Sequence, residues 1–160
     1  MGDLFEAMEH WGWVAWIGKH WILEVISVLH YFTIFWVVGT IALIDLRVLG
    51  VAGMRQTATE WQKQLAPWMW TAMIVCLTTG FLEFAPGGGD FYVNPMFKAK
   101  VIATALGIVL AVAVYRGVPR WERSSSFPGS AKALAALCLL VWVGTILLGV
   151  EIANYNTFGF

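Results

Sequence analysis

The stretch of sequence that decides the fold runs from Trp21 to Ile44 and reads WILEVISVLHYFTIFWVVGTIALI. It is long enough for an α-helix to cross a bilayer, which takes roughly 20 residues. Glu24 and His30 are its acidic and basic side chains, and nearly all of the others are apolar. Backbone polar groups in lipid must be hydrogen-bonded within their own element, so the stretch is predicted to be a transmembrane helix.

Three further apolar stretches follow, and the alternating pattern typical of membrane β-barrel strands is absent. The predicted spans are about 21–44, 65–84, 99–117 and 131–152. Before them, apolar side chains at helical spacing predict an amphipathic helix at about 3–18 that lies in the membrane interface. The predicted fold is therefore all-α: an integral membrane four-helix bundle with an N-terminal amphipathic interfacial helix, in a single domain over 1–160.

The composition supports a membrane protein and excludes other classes. Hydrophobic residues make up 59% of the chain and charged residues 12%, with a mean hydropathy of +0.72. Soluble domains carry about 25% charged residues, so a water-soluble globular domain is excluded. Ten Lys and Arg residues balance ten Asp and Glu residues, which leaves no basic surplus for binding nucleic acid.

The positive charges predict an orientation in the membrane. Most Lys and Arg residues lie in or beside the connections at 45–64 and 116–130, and loops rich in these residues stay on the cytoplasmic side. We therefore expect a multi-pass protein of the bacterial inner membrane with both termini in the periplasm. The Gly-rich outer connection, Ala85–Tyr92, is expected to be flexible and long enough to contact a periplasmic partner.

The sequence carries no motif of a soluble enzyme. Phosphate-binding glycine loops, the zinc-protease HExxH pattern and the hydrolase nucleophile elbow are all missing, so no catalytic residue is predicted. Cys76 and Cys138 lie inside spans and are expected to pack as small apolar residues. Asp45 is expected to bind the start of a neighbouring helix or a loop amide.

Small residues predict close packing between spans. Gly107 and Ala111 belong to a repeat of small residues four apart in the third span, and Thr145 and Gly149 belong to another in the fourth. Small side chains at this spacing let helix backbones approach closely in lipid. The two faces are expected to pack within the bundle or against a second protomer.

Ionisable residues at membrane depth are costly, and each is a functional hypothesis by default. Every predicted span brings one to its outer end: Glu24, Glu83, Lys100 and Glu151. We expect Lys100 to be the counter-ion of one of the three glutamates. The alternative is that these side chains reach the interface or pair to tie the helices together, with no further role.

His30 lies roughly 9 Å deeper than Glu24 along the first span. A histidine at this depth can ligate haem b or a transition metal, relay protons, or pack as a neutral imidazole. His20 lies about 15 Å away on the same helix, so the two cannot ligate one haem. A methionine or a second protomer would have to supply a second axial ligand. The predicted cofactor-binding residues are His30, Glu24 and Lys100, and the predicted metal ligands are His30, Glu83 and Glu151.

Several short segments, from the first span into the third, carry a family resemblance. They are Leu23–Val25, Leu29 with His30, Gly39, Asp45–Gly50, Thr79–Leu82 with Phe84, Asn94–Phe97 and Lys100. This pattern resembles an uncharacterised family of small four-helix bacterial inner-membrane proteins. A more remote similarity is to the copper-resistance protein D family, whose membrane helices also carry histidine and tryptophan near small residues. The resemblance implies the four-helix fold and implies no particular activity.

Three functions remain open from the sequence. The first is a redox accessory subunit that binds haem b or a metal near the outer leaflet through His30. The second is a non-catalytic structural subunit of a larger membrane complex. The third is a small homo-oligomeric transporter of a metal ion or of protons. The expected partners are the lipid bilayer and either further copies of the chain or a larger membrane complex.

Overall fold

The computed structural model describes residues 2–52, 55–124 and 126–158, and every regular element of these residues is helical. In chain order they are α1 (Gly2–Glu9), α2 (Gly12–Gly18), α3 (Ile22–Leu49), α4 (Ala58–Phe84), a 3-10 turn (Ala85–Gly87), α5 (Gly88–Val93), α6 (Pro95–Trp121) and α7 (Gly129–Phe158). Four of these helices, α3, α4, α6 and α7, are long and apolar enough to cross a membrane. The prediction of an all-α, four-span, multi-pass membrane protein is confirmed.

The four long helices form a bundle in which α3 packs mainly against α4 and α7, and α6 packs mainly against α7. Buried apolar side chains fill the space between them, among them Val37, Ile41, Met69, Val114 and Cys138. Large apolar side chains also cover much of the outer surface, as expected where the solvent is lipid. The bundle is therefore apolar on both its inner and its outer faces.

The predicted small-residue packing accounts for one close contact. Gly107 of α6 is buried, and a Cβ built on it would lie 3.0 Å from the indole of Trp142 on α7. Because Gly107 has no side chain, the Trp142 ring fits between α6 and α7. Thr145 is buried on α7 as well, and Gly149 contacts Lys100 instead of another helix backbone.

The long helices extend beyond the apolar stretches at several of their ends. Thr57 caps α4 through a reciprocal pair of hydrogen bonds with Glu60, and Asn94 caps α6 with Pro95 in its first turn. Gly50 ends α3 in the left-handed conformation, with φ of 81°, which glycine adopts without steric cost. These polar and glycine caps, and not the loss of hydropathy, determine where the helices begin and end.

Glu122, just after α6, adds a second cap to the start of α4. Its carboxylate accepts hydrogen bonds from the backbone N–H groups of Ala58 and Thr59, the latter at 2.9 Å. Desolvation raises the pKa of the Glu122 carboxyl, but the hydrogen bonds from Thr59 and Ala58 and the charge of Arg47 outweigh it. The pKa of Glu122 therefore lies below its usual value, and this carboxylate ties the α6 end to the α4 start.

The N-terminal region differs from the single helix expected at 3–18. It forms two short helices, α1 and α2, with a break at His10 and Trp11. Tryptophan side chains remain exposed around this break and beyond it, at Trp11, Trp13, Trp16 and Trp21. Indole rings favour the membrane–water interface, and the interfacial placement of this region stays a prediction.

The Gly-rich connection at 85–92 is helical, and the expectation of a flexible loop is wrong. Phe5 and Met8 of α1 pack against Ala85 and Phe84, and Gly89 donates its backbone N–H to Oε1 of Glu9 at 2.7 Å. A Cβ on Gly88 would lie 3.3 Å from both Phe5 and Met8. The glycines therefore allow α1 to approach closely, and the partner of this segment is the N-terminal region of the same chain.

Candidate functional site

The candidate site is centred on His30, which is 7% exposed on the inner face of α3. Its Nδ1 lies 3.0 Å from the backbone carbonyl oxygen of Cys76 and 3.0 Å from Oγ1 of Thr79, both on α4. The Thr79 hydroxyl donates its own proton to carbonyls of α4, at Val75 and Cys76. Both neighbours of Nδ1 are thus acceptors, so Nδ1 carries the proton.

The second ring nitrogen of His30 faces a carboxylate. Nε2 lies 3.7 Å from Oε2 of Glu83, one turn beyond Thr79 on α4, which is longer than a hydrogen bond. With the proton on Nδ1, Nε2 presents a lone pair toward the space beside Glu83. The side chain of Glu83 is 24% exposed, so this edge of the imidazole lies near the margin of the bundle.

Lys100 of α6 completes the cluster. Its charge interacts with that of Glu83 and acts on the His30 ring, and its Nζ lies 3.5 Å from the position of a Cβ on Gly149 of α7. Because Gly149 has no side chain, the amine of Lys100 can lie close to the backbone of α7. Of the alternatives predicted for Lys100, the structure brings it to Glu83.

The backbone of α4 makes room for the imidazole. A Cβ built on Gly80 would lie 2.9 Å from Cε1 of His30, closer than side-chain atoms normally approach. Thr79 and Gly80 are adjacent in sequence, so one turn of α4 supplies both a hydrogen-bond acceptor and the space for the ring. We call His30, Glu83, Lys100, Thr79 and Gly80 the outer cluster.

Two predicted site residues lie outside this cluster. Glu24 is exposed in the first turn of α3. Glu151 is exposed on α7 and accepts a hydrogen bond from Nδ2 of Asn154 at 3.4 Å. Within the part of the chain that the structure describes, no group of three or more His, Cys, Asp or Glu side chains is placed to hold a metal ion.

The cysteines and Asp45 have surroundings that the sequence did not suggest. Cys76 supplies the carbonyl that holds His30, and its Sγ lies 3.9 Å from Nδ1. Asp45 is 1% exposed and its carboxyl interacts with the thiol of Cys138 on α7. Asp45 was expected to bind a helix start or a loop amide, and the side-chain interaction resolved for it among the described residues is instead with Cys138.

Sequence reasoning found the ionisable members of the outer cluster and missed the parts that orient them. The acceptor from Cys76 is a backbone carbonyl, which leaves no mark on the side-chain pattern. Thr79 and Gly80 carried a weak signal, since a hydroxyl next to a glycine in an apolar helix is a common way to accommodate a polar side chain from a neighbouring helix.

Comparison with known proteins identifies a family and no function. The model of a family of unknown function, DUF6644, matches residues 5–154. The chain belongs to this family. No curated protein matches the chain significantly, and no solved structure does so either.

Proposed function

We propose that the protein is a small accessory subunit of a membrane redox system that binds haem b through Nε2 of His30. The observation that carries the proposal is the fixed tautomer of this histidine. Nδ1 donates to the carbonyl of Cys76 at 3.0 Å, while Nε2 has Glu83 as its neighbour at 3.7 Å. Histidines that ligate metals almost always donate their other ring N–H to a carbonyl or a carboxylate.

Haem fits the outer cluster better than a bare transition metal. A structural or catalytic metal ion needs three or four protein ligands, and the described residues offer no such group. Haem carries most of the ligands of its iron itself and would need one protein side chain to hold it, here His30. A single buried histidine with an oriented Nε2 meets that need.

The charged residues beside His30 favour a cofactor that has carboxylate side chains and a metal cation at its centre. Lys100 provides a positive charge close to His30 and Glu83, and haem carries carboxylate side chains that pair with such a group. Bound haem would supply one-electron transfer, while the chain itself would set its potential through the axial ligand, burial and nearby charge.

The same proposal includes a location and partners. We place the chain in the bacterial inner membrane with both termini in the periplasm, because the Lys and Arg residues concentrate in the connections at 45–64 and 116–130. The outer cluster then lies near the periplasmic surface. An accessory role implies either a homo-oligomer or assembly with a larger membrane complex.

The test is an absorption spectrum of the full chain purified in mild detergent from cells supplied with a haem precursor. We expect a Soret band and, after dithionite, sharpened α and β bands. His30→Ala should abolish them, whereas His20→Ala should leave them unchanged, because His20 is exposed and stacks on Trp16. Spectra of intact membranes before purification exclude loss of the cofactor in detergent.

Two results would overturn the proposal. One is a membrane fraction rich in the protein with no haem absorbance above that of cells lacking it. The other is a haem spectrum that His30→Ala leaves intact. Either result would favour a structural subunit in which the outer cluster ties α3, α4 and α6 together.

A further inference from the structure

A second polar cluster lies at the opposite end of the bundle from His30. Asp45 is 1% exposed, on the same inner face of α3 as His30 and fifteen residues further along the chain. This separation corresponds to roughly 22 Å along the helix axis. The two clusters are therefore distinct sites.

Buried polar atoms from three helices converge on Asp45. The thiol of Cys138 on α7 interacts with the Asp45 carboxyl and with Trp142, one turn further along α7. Tyr115 of α6 is 8% exposed and interacts electrostatically with Asp45. Within the described chain, Tyr115 and Cys138 are the titratable groups whose interaction with Asp45 is resolved. We call Asp45, Tyr115, Cys138 and Trp142 the inner cluster.

Some of these atoms have no hydrogen-bond partner within the described residues. They are Oδ2 of Asp45 and the hydroxyl oxygen of Tyr115, while Nε1 of Trp142 has only the thiol of Cys138, a weak acceptor, beside it. An unpaired buried polar group is destabilising, and native proteins pair the great majority of such groups. The two unpaired oxygens, with the weakly paired indole N–H in the same cluster, therefore point to a small ligand that both donates and accepts hydrogen bonds.

The donor and acceptor types identify that ligand. Nε1 of Trp142 only donates, a carboxylate oxygen only accepts, and the Tyr115 hydroxyl does both. A metal ion would not pair with the indole N–H. A water molecule both donates and accepts, and buried water typically makes about three hydrogen bonds to otherwise unpaired groups.

Gln62 offers a connection from the inner cluster toward the surface. It lies near the start of α4, partly exposed, and its Nε2 donates to the backbone carbonyl of Tyr115 at 2.7 Å. Its Oε1 has no hydrogen-bond partner within the described chain. Gln62 thus provides a further acceptor between Tyr115 and the surface that bears the α3–α4 connection.

We propose that the inner cluster binds ordered water and is a proton-exchange site, in which Asp45 reversibly takes up a proton from the aqueous phase on the side of the α3–α4 connection. A hydronium ion gives its proton to the Asp45 carboxylate and leaves water, and the reverse step restores the carboxylate. Thr33 and Thr40, which lie between the clusters on α3, donate their hydroxyls to carbonyls of their own helix. The proposal is therefore limited to exchange with one surface and is independent of haem binding.

The experiment is infrared spectroscopy of the full chain in lipid vesicles, because a protonated carboxyl group has a C=O stretch separate from the amide bands. We expect a pH-dependent band that is absent in Asp45→Asn and shifts when H₂O is replaced by D₂O. Asp90→Asn removes an exposed carboxyl at the other end of the bundle and should leave the band in place. Tyr115→Phe removes one hydroxyl of the water network. After transfer to D₂O, the rate at which the band shifts should be about tenfold lower than in wild type, as expected for the loss of one hydrogen bond.

The outcomes separate a hydrated site from a dry one. A band that Asp45→Asn removes and that does not shift in D₂O would show a carboxyl closed to solvent, and would overturn the proposal. The absence of any band dependent on Asp45 at any pH would overturn it as well. If Asp45→Asn does not fold, the comparison of wild type with Tyr115→Phe decides, because equal exchange rates contradict a water network that includes the hydroxyl. Haem content enters none of these readouts.

Discussion

The imidazole of His30 occupies the space that a side chain at Gly80 would fill, since a Cβ built on Gly80 would lie 2.9 Å from Cε1 of His30. The ring is also held at Nδ1 by the carbonyl of Cys76 and by Thr79. It therefore cannot retreat from a new methyl group without losing hydrogen bonds. Glycine at position 80 is a requirement of the histidine site more than of the α4 helix.

We predict that Gly80→Ala displaces His30 and reduces haem binding while the bundle still forms. Inserting a methyl group into a packed interior costs about 1–3 kcal/mol, and here much of that cost acts on the His30 ring. The measurement is the ratio of Soret to protein absorbance in purified samples, together with the thermal stability of the apoprotein in detergent.

Gly39→Ala is the matched control for this substitution. Gly39 lies in α3, and a Cβ built on it would have no neighbour within 4 Å. Alanine is favoured over glycine in a helix by up to about 1 kcal/mol, so this variant should be as stable as wild type or more so. Equal haem content in the two alanine variants would contradict the role assigned to Gly80.

The second prediction concerns the charge of Lys100. Lys100→Met should remove a positive charge that interacts with the Glu83 carboxylate, and removing one partner of a fully buried ion pair costs about 3–5 kcal/mol. We expect a lower figure, about 1–3 kcal/mol, because the side chain of Glu83 is 24% exposed and solvent screens the charge. Unfolding of the apoprotein by sodium dodecyl sulfate in mixed micelles measures the difference.

Glu83→Gln provides the rescue for Lys100→Met. If the two charges stabilise each other, the double variant should be more stable than the sum of the two single effects predicts. Additive effects in the double-mutant cycle would show that Lys100 and Glu83 do not stabilise each other, and would contradict the charge interaction assigned to them.

The third prediction tests the attachment of the N-terminal helices. Glu9→Ala removes the acceptor for the backbone N–H of Gly89, so hydrogen–deuterium exchange in 85–93 should accelerate several-fold, as expected for the loss of about 1 kcal/mol. Glu24→Ala, which removes an exposed carboxylate in the first turn of α3, should change exchange in 85–93 much less. Identical exchange in wild type and Glu9→Ala would show that apolar contacts of Phe5 and Met8 hold α1 without this hydrogen bond.

The four spans could be predicted from the sequence because an apolar run of sufficient length has few alternatives in lipid. The helix ends could not be predicted as well, because they depend on polar caps such as Thr57 and Asn94 outside the apolar windows. The segment at 85–93 was misread as a loop because its glycines are typical of turns. Their use in the structure is to admit α1, a partner about eighty residues away in the chain.

The ionisable residues of the outer cluster could be predicted from the sequence, but their positions relative to one another could not. His30, Glu83 and Lys100 were identifiable as costly residues at membrane depth. Choosing Glu83 over Glu24 and Glu151 as the neighbour of Lys100 needed the relative rotation of three helices, which a sequence without a strong polar stripe does not define. The inner cluster was missed for a similar reason, since Asp45, Tyr115 and Cys138 come from three different helices.

The last prediction is a pH dependence of stability that originates at Glu122. The pKa of this carboxyl is lowered from 4.5 in the folded chain, so its contribution to the free energy of unfolding is fully present above pH 4.5 and is lost as the pH falls through the lower folded-state pKa. Glu122→Gln should remove this contribution, which we expect to be a few tenths to about 1 kcal/mol because the group is near solvent.

Thermal unfolding in detergent across the acidic pH range measures the contribution of Glu122 to stability. The stability curve of Glu122→Gln should fall less steeply below pH 4.5 than that of wild type. Parallel curves of stability against pH for wild type and Glu122→Gln would mean that the charge of this carboxylate does not hold the start of α4 to the end of α6.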